Sequence, residues 1–288
     1  MDYRTIYIEG TQLLSPLPDA KLDARLLLEA VCHTDLQTLL VHPDREVTGE
    51  EEALYRSYIG RRSAREPLAY ILGSQEFMGL PFKVDPAVLI PNQDTETLVE
   101  TALESLQEGD RVLDLCTGSG CILLSLLHYK KSCSGTGTDL SGEALRVARA
   151  NGEGLGLSGR ASWKQGDLFL ALEEEEAFDL IVSNPPYIRS DVIESLEPEV
   201  KNGEPRMALD GGEDGLYFYR EIIARAPAFL KEGGRLMMEI GFDQGEAVRA
   251  LLAENEYREI RIIRDYGGLD RVAAAAAPFR RQAGTKNP

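Results

Sequence analysis

Residues 178–187 read Phe-Asp-Leu-Ile-Val-Ser-Asn-Pro-Pro-Tyr, an apolar run that ends in the tetrapeptide Asn184-Pro185-Pro186-Tyr187. The run predicts a buried strand. In open α/β sheets ligands collect at the carboxyl ends of the strands, so the tetrapeptide is predicted to lie at a functional edge. Two consecutive prolines fix their own φ angles and restrict the residue before each of them. We therefore expect the Asn184 side chain and the Pro185 carbonyl to be held as fixed acceptors.

Two fixed acceptors beside a flat side chain form a site for a planar nitrogen. An amide or amino nitrogen that donates both hydrogens to such a pair keeps its lone pair free, and Tyr187 offers a wall for stacking. The alternative is an ordinary Asn-Pro turn after a strand. Because the complete tetrapeptide follows a strand, we favour a site that methylates a planar nitrogen.

A second pattern lies about seventy residues upstream. Residues 111–115 predict a short strand, and the loop Cys116-Thr117-Gly118-Ser119-Gly120 precedes an apolar, helix-like run at 122–127. Glycines in such a loop allow close approach of a ligand. Asp139 follows Gly120 by 19 residues, close to the offset of about 20 for a carboxylate that binds ribose hydroxyls. The loop lacks the third glycine of the dinucleotide fingerprint, which favours a sulfonium nucleoside over NAD.

Taken together, these motifs resemble the class I S-adenosylmethionine-dependent methyltransferases and, more closely, the release factor glutamine methyltransferase family. That family modifies the glutamine of the GGQ loop in peptide-chain release factors. The resemblance extends to Val88-Leu89-Ile90-Pro91 with Asp94-Thr95-Glu96, to residues 204–216, and to Glu239-Ile240-Gly241 and Asp265-Tyr266-Gly267-Gly268-Leu269-Asp270-Arg271. The chain departs from the family at Asn92-Gln93, where Arg-Pro is usual, and at Cys116, where Gly is usual.

The resemblance implies S-adenosyl-L-methionine as cofactor and a specific set of residues around it. The cofactor-binding residues would be Cys116, Thr117, Gly118, Ser119, Gly120, Asp139, Asp167, Leu168 and Asn184. Catalysis would fall to Asn184, Pro185 and Tyr187, and the substrate would contact Asn184, Pro185, Pro186 and Tyr187. Asp167 and Leu168 would approach the adenine, although a helix-capping Asp beside a core leucine explains them equally well. Glu239 either orients groups of the site or is structural.

The periodicity of the chain predicts an α/β fold. Alternating strands and helices predict a Rossmann-like sheet of seven mostly parallel strands, with strands near 111–115, 134–139, 161–166, 178–183, 234–240, 257–264 and 270–276. Apolar residues at helical spacing before it predict a bundle at 1–76, and the resemblance implies that this bundle binds the substrate protein. A β-hairpin linker is expected at 77–91, the methyltransferase domain at 92–278 and a disordered tail at 279–288.

Several details of the bundle follow from the same pattern. Asp19 or Asp23 is expected to cap the second helix and Thr48 a later one, and Gly60 is expected to separate two helices. The cluster Arg56, Arg61, Arg62 and Arg65 is interpreted as a solvated helix face. The run Glu173–Glu176 is interpreted in the same way.

Composition limits the classes of function. The net charge of −17 argues against binding along a phosphate backbone, which usually takes a basic face, so no direct nucleic-acid binding is expected. The sequence has neither a long apolar run nor a signal-peptide pattern, which predicts a cytoplasmic protein without membrane contact. The cysteines and histidines show no metal-ligand spacing, so no metal is expected. We expect a monomer.

The expected reaction is in-line transfer of a methyl group to the side-chain amide nitrogen of a glutamine. Two alternatives stay open on the sequence. A nucleic-acid amino methyltransferase acting on adenine N6, cytosine N4 or guanine N2 would need the same acceptors for a flipped-out base. A non-catalytic module that keeps the fold as an interaction platform would need neither the intact loop nor the tetrapeptide.

Overall fold

A computed structural model describes residues 1–279, and the part of the expected tail at 280–288 lies outside these residues. The chain forms two compact units. One comprises Met1–Ser74 with Glu197–Gly203, and the other comprises Gln75–Leu196 with the residues from Glu204 onward.

The first unit is helical. Its helices are α1 (Tyr3–Leu13), α2 (Ala20–Val31), α3 (Leu36–Val41), α4 (Gly49–Ser63) and α5 (Leu68–Leu72). A core of buried side chains that includes Tyr3, Leu27, Leu28 and Tyr55 holds them together. The predicted Thr48 cap is confirmed: the Glu51 N–H donates to Thr48 Oγ1 and the Thr48 N–H donates to Glu51 Oε2, which forms a capping box.

Two expectations for this unit are wrong, and one holds for only one of its two candidate residues. Gly60 separates no helices because α4 runs through it to Ser63, and nothing stands within 4 Å of the Cβ that another residue would have there. Of the two candidates for the cap of α2, Asp19 lies at the N-cap position without a side-chain capping hydrogen bond, whereas Asp23 lies inside the helix and is buried. Arg62 is not solvated. Its Nε donates to Asp23 Oδ2 at 2.7 Å and its Nη1 to Glu199 Oε1 at 3.1 Å, so a buried ion pair replaces water.

Glu199 belongs to a short segment that comes from far along the chain. Residues 197–203, which contain α9 (Pro198–Gly203), group with the helical unit although both flanking stretches belong to the other unit. Arg65 also donates to Glu199, at 3.1 Å. Two guanidinium groups therefore hold this segment within the helical unit.

The second unit begins with a hairpin and continues as an α/β sheet. The hairpin strands β1 (Ser74–Phe77) and β2 (Leu80–Lys83) are joined by Met78 and Gly79, both with positive φ, as a type I′ turn requires. The sheet strands are β3 (Arg111–Leu115), β4 (Ser134–Asp139), β5 (Ala161–Gln165), β6 (Phe178–Ser183), β7 (Leu230–Glu239), β8 (Arg258–Arg264) and β9 (Asp270–Ala276). The helices of this unit are α6 (Glu96–Ser105), α7 (Cys121–Tyr129), α8 (Gly142–Gly154), α10 (Tyr217–Phe229) and α11 (Gly245–Glu254).

The strand order is β5-β4-β3-β6-β7-β9-β8, and β9 runs antiparallel to both of its neighbours. The predicted seven-stranded, mostly parallel α/β sheet is confirmed. Successive residues of β3 and β6 point to opposite faces. Val112, Leu180 and Val182 enter the core under α6 and α7, whereas Leu113, Leu115 and Ile181 enter the core under α10 and α11.

The register of the central strands places three loops together. Leu115 at the end of β3 pairs with Thr138 on one side and Ser183 on the other. Cys116, Asp139 and Asn184 each follow one of these paired residues. Because the chain leaves β3 for β4 on one side and later returns to β6 on the other, a crevice opens at this edge, which is where such sheets bind ligands.

Candidate active site

One cavity lies at this edge of the sheet, entirely within the second unit. It encloses about 970 Å³ of space, including its open mouth. Of the predicted site residues, Cys116, Thr117, Gly118, Ser119, Asp139, Asp167, Leu168, Asn184 and Pro186 line it. Gly120, Pro185 and Tyr187 are not among the lining residues.

The glycine loop turns sharply between β3 and α7. Cys116, Gly118 and Gly120 all have φ in the left-handed region, at 57°, 55° and 78°. A Cβ on Gly120 would stand 2.8 Å from Trp163 Cη2, so only glycine fits at that position. Cys116 thus adopts a left-handed conformation that disfavours a side chain.

Asp139 holds this loop from the neighbouring strand. Its Oδ2 accepts the Gly118 N–H and its Oδ1 accepts the Ser141 N–H, both at 2.9 Å. A carboxylate has about four lone-pair sites, so two remain for a ligand. Burial raises the pKa of Asp139, while the N–H groups of Ser141 and Gly118 oppose that shift.

Asp114 is a buried acid beside the glycine loop that the sequence did not single out. It is fully buried at the end of β3, and Thr117 Oγ1 donates to its Oδ2 at 2.6 Å. Burial raises its pKa to about 7. This carboxyl fixes the Thr117 side chain.

Unpartnered polar atoms point to a polar ligand in the cavity. Ser119 Oγ and Thr138 Oγ1 are buried without a hydrogen-bond partner among residues 1–279, and both residues line the cavity. Buried hydroxyls are normally paired, so such groups fit a ligand that carries polar atoms of its own. Leu140, Ala144 and Leu168 supply an apolar part of the wall, with Asp167 beside them. Asp167 makes no helix-cap hydrogen bond. These residues suit a nucleoside whose base lies against apolar side chains.

Asn184 faces the cavity with a defined amide orientation. Its Nδ2 donates to Thr95 Oγ1 at 3.3 Å. Within the described chain neither Asn184 Oδ1 nor the Pro185 carbonyl accepts a hydrogen bond. Both predicted acceptors at the end of β6 are therefore free to accept hydrogen bonds from a substrate.

Tyr187 is anchored at both ends. Its hydroxyl donates to Glu239 Oε1 at 3.2 Å, and its backbone carbonyl accepts from Gln244 Nε2 at 3.0 Å. Gln244 also accepts the Gly241 N–H at 2.9 Å and the Tyr219 hydroxyl at 3.2 Å. Gln244 was not predicted, because a lone amide on a loop has no recognisable pattern.

Residues 204–216, one of the segments in which the sequence resembles the family, pack over the tetrapeptide. We call this segment the strap. The Ile188 N–H donates to the Leu209 carbonyl at 3.0 Å and the Gly211 N–H to the Ile188 carbonyl at 2.8 Å. A Cβ on Gly211 would lie 2.7 Å from Tyr187 Cα, and one on Gly215 would lie 2.5 Å from the Tyr187 carbonyl oxygen. Both glycines are therefore required for the close approach of this strap.

The strap also connects to the opposite wall of the cavity. Glu204 Oε2 accepts the Ile90 N–H at 3.2 Å, and Pro205, Met207 and Ala208 line the cavity together with residues 87–92. Burial raises the pKa of Glu204 to about 7.

Arg271, buried on β9, pairs with Asp94 at 3.1 Å and Asp265 at 3.0 Å, which fixes the turn that carries Thr95. Asn92 caps that turn by accepting the Asp94 N–H at 3.2 Å.

Comparison with known proteins places these features in one family. The model for the PrmC N-terminal domain matches residues 5–73, and the model for the methyltransferase small domain matches residues 91–197. A release factor glutamine methyltransferase of Geobacter sulfurreducens is 44% identical over 254 residues, which cover 88% of each chain. The chain belongs to the release factor glutamine methyltransferase family.

Other comparisons agree on the family and on the fold. The release factor glutamine methyltransferase of Caulobacter vibrioides is 41% identical over 269 residues, covering 93% of this chain and 90% of that protein. The crystal structure of a methyltransferase from Pyrococcus furiosus superposes with a TM-score of 0.56 at 18% identity, over 76% of this chain and 99% of that one. The methyltransferase fold of the second unit, predicted from the sequence, is confirmed. Within residues 1–279 no helix combines the length and apolarity that a membrane span takes.

Proposed function

We propose that this chain methylates the side-chain amide nitrogen, N5, of the glutamine in the GGQ motif of peptide-chain release factors, with S-adenosyl-L-methionine as the methyl donor. One observation carries the proposal. The glycine loop with Asp139 and the free acceptor oxygen of Asn184 lie around a single cavity. Donor and acceptor sites thus share the space in which a methyl group would pass between them.

The cofactor-binding residues fit S-adenosyl-L-methionine by their chemistry. Asp139 has acceptor capacity for ribose hydroxyls, and the unpaired hydroxyls of Ser119 and Thr138 suit further polar atoms. Leu168 and Asp167 would contact the base, the first through apolar surface and the second by accepting from its amino group. The bound cofactor supplies an electrophilic methyl group.

The acceptor residues would orient a poor nucleophile. A primary amide nitrogen has a delocalised lone pair, so alignment must supply much of the acceleration. Asn184 Oδ1 and the Pro185 carbonyl would accept its two N–H groups, and they would stabilise the positive charge that develops as the bond forms. Pro186 and Tyr187 would complete the substrate contact. No His or Lys lies among the described lining residues, so the nitrogen would lose its proton after transfer, when it is more acidic.

The helical unit is proposed to hold the release factor. Its surface exposes large apolar side chains, among them Leu40 at 71% and Val41 at 62% on α3, a helix without buried residues.

We further propose a monomer that works in the cytoplasm, where release factors act. The alternative of a nucleic-acid amino methyltransferase is not favoured, since the similar full-length relatives are named for release factor glutamine and the chain carries a net charge of −17.

Mass spectrometry tests this function. The protein is incubated with methyl-labelled S-adenosyl-L-methionine and, separately, with a release factor, the same factor with its GGQ glutamine replaced by alanine, and duplex DNA. We expect the label on the GGQ glutamine alone. Label in the DNA, or in the alanine-substituted factor at an equal level, would refute the proposal.

A further inference from the structure

Asn151 on α8 is a buried amide that bonds to the main chain of two other segments. Its Oδ1 accepts the Lys83 N–H at 2.7 Å, and its Nδ2 donates to the Lys83 carbonyl at 3.1 Å and to the Ser119 carbonyl at 2.9 Å. The residue is 3% exposed. An N–H only donates and a carbonyl oxygen only accepts, so these partners determine the orientation of the amide. The side chain joins the end of β2 to the glycine loop.

Ser119 needs such a support because it lies between two glycines. Gly118 and Gly120 have positive φ angles of 55° and 78°, and the freedom of glycine leaves the peptide group between Ser119 and Gly120 poorly fixed by local sterics. Hydrogen bonds hold this peptide group at both ends. The Gly120 N–H donates to the Thr117 carbonyl at 2.8 Å, and the Ser119 carbonyl accepts from Asn151. Without the second bond the peptide group can rotate.

The orientation of this peptide group determines what the glycine loop presents to the cavity. Ser119 is 2% exposed and lines the cavity, and its Oγ makes no hydrogen bond within residues 1–279. A rotation of the adjoining peptide group would move that hydroxyl. Asn151 is not among the described residues that line the cavity, so it can act on a ligand only through the residues that it holds.

The two bonds to Lys83 extend the same support to another wall of the cavity. Lys83 ends β2, and residues 87–92, a few positions further on, line the cavity. Arg146 of α8 pairs with Asp85 at 2.7 Å, but both side chains are exposed, and such pairs contribute little. The buried Asn151 amide is therefore the stronger attachment of this stretch to α8.

We propose that Asn151 is a positioning residue for the cofactor, which fixes the peptide group between Ser119 and Gly120 in the geometry that binds S-adenosyl-L-methionine. The Ser119 hydroxyl is thereby held toward the ligand. Asparagine suits this role because aspartate lacks the two donor hydrogens and glutamine would add a methylene group to a packed interior. The inference goes beyond the proposed glutamine methylation, since it concerns the cofactor side of the site alone.

Two variants test the role by titration calorimetry with S-adenosyl-L-methionine. Asn151→Asp keeps an acceptor for the Lys83 N–H and loses both donors, so the glycine loop of the free protein should leave its binding geometry. If about 1–10% of the molecules keep that geometry, the dissociation constant rises by about 10- to 100-fold. Asn151→Ala introduces no buried charge and should give a similar rise, so it serves if Asn151→Asp does not fold.

Two controls separate positioning from simple stability. Asn255→Asp makes the same chemical change at the end of α11, where Asn255 Nδ2 donates to the Leu251 carbonyl at 2.9 Å. Leu252→Ala removes a buried side chain from the core under α11 and should lower the free energy of unfolding. Both controls should keep the dissociation constant within about twofold of that of the unmodified protein. A rise in Leu252→Ala as large as that in the Asn151 variants would overturn the positioning role.

A double variant tests whether Asn151 acts through Ser119. Ser119→Ala should raise the dissociation constant by about threefold to tenfold in the unmodified protein. In Asn151→Asp the same change should raise it by less than about twofold, because the hydroxyl is no longer held in place. Losses that multiply, or unchanged affinity in Asn151→Asp and Asn151→Ala, would overturn the inference. The assay needs no glutamine substrate, so a protein that shows these affinities and methylates no GGQ glutamine would refute only the proposed function.

Discussion

Removing the Asp139 carboxylate should weaken cofactor binding by a predictable amount. In Asp139→Ala a ligand would lose two ribose hydrogen bonds to a charged acceptor, together about 2–4 kcal/mol. That range corresponds to a rise in the dissociation constant of roughly 30- to 1,000-fold. Gly118 and Ser141 also lose their acceptor at 2.9 Å, so the glycine loop should become less ordered and the effect should lie toward the upper end.

Titration calorimetry with S-adenosyl-L-methionine measures this change. The fluorescence of Trp163, the single tryptophan of the chain, offers a second readout because its ring lies against Gly120 of the glycine loop and Gly137 of β4. Asp110→Ala is the matched control, since Asp110 accepts the Gln107 N–H at the opposite end of β3 and its loss should leave the affinity unchanged. A folded Asp139→Ala protein that binds the cofactor within twofold of the original affinity would refute the assignment of Asp139.

Three further predictions concern substrate binding, strain and pH. Leu40→Glu combined with Val41→Glu should raise KM for a whole release factor by at least about tenfold and leave KM for a short GGQ peptide unchanged. An equal rise in KM for both substrates would show that α3 does not bind the factor. Cys116→Gly should raise the free energy of unfolding, measured by urea titration, by about 1 kcal/mol, because a φ of 57° strains a residue that has a side chain. A lower free energy of unfolding in the variant would contradict the strain at Cys116. Burial raises the pKa of Glu204 from 4.5 to about 7, so the folded state favours the protonated carboxyl. Ionisation of Glu204 therefore lowers the stability of the protein as the pH rises from about 4.5 to 7. Glu204→Gln, which keeps the acceptor for the Ile90 N–H, should therefore gain stability relative to the original protein over that window, by at most about 3 kcal/mol, whereas the exposed Glu104→Gln should not.

The sequence predicted the sheet well because its strands carry local patterns. The strands at 111–115, 134–139, 178–183 and 270–276 have the predicted bounds. β4 forms despite the poor strand propensity of Ser134-Gly135-Thr136-Gly137. A Cβ on Gly135 would lie 2.5 Å from Leu123 Cδ1, and one on Gly137 would lie 2.6 Å from the Trp163 ring, so crowding by neighbours requires glycine there. Tertiary packing thus overrides propensity.

Features that depend on distant residues were not predictable in this way. The burial of Arg62 requires Asp23 and Glu199, which are 39 and 137 residues away in the sequence. The same holds for the site. Asn184 and Asp139 follow recognisable motifs, whereas the contact of Thr95 with Asn184 spans 89 residues and that of Tyr187 with Glu239 spans 52. Sequence periodicity reports which face of an element is buried, and it contains no information on which polar side chains meet across elements.

The most direct test of the central claim is single-turnover methylation of a GGQ-containing release factor by Asn184→Ala, with the product glutamine quantified by mass spectrometry. Asn184 would act on charge that develops in the transition state, so the rate should fall by roughly 10²–10³-fold, while the dissociation constant of S-adenosyl-L-methionine should change far less. Near-normal turnover by this variant would contradict the account, because Asn184 and Pro185 could not then be the pair that orients the amide nitrogen.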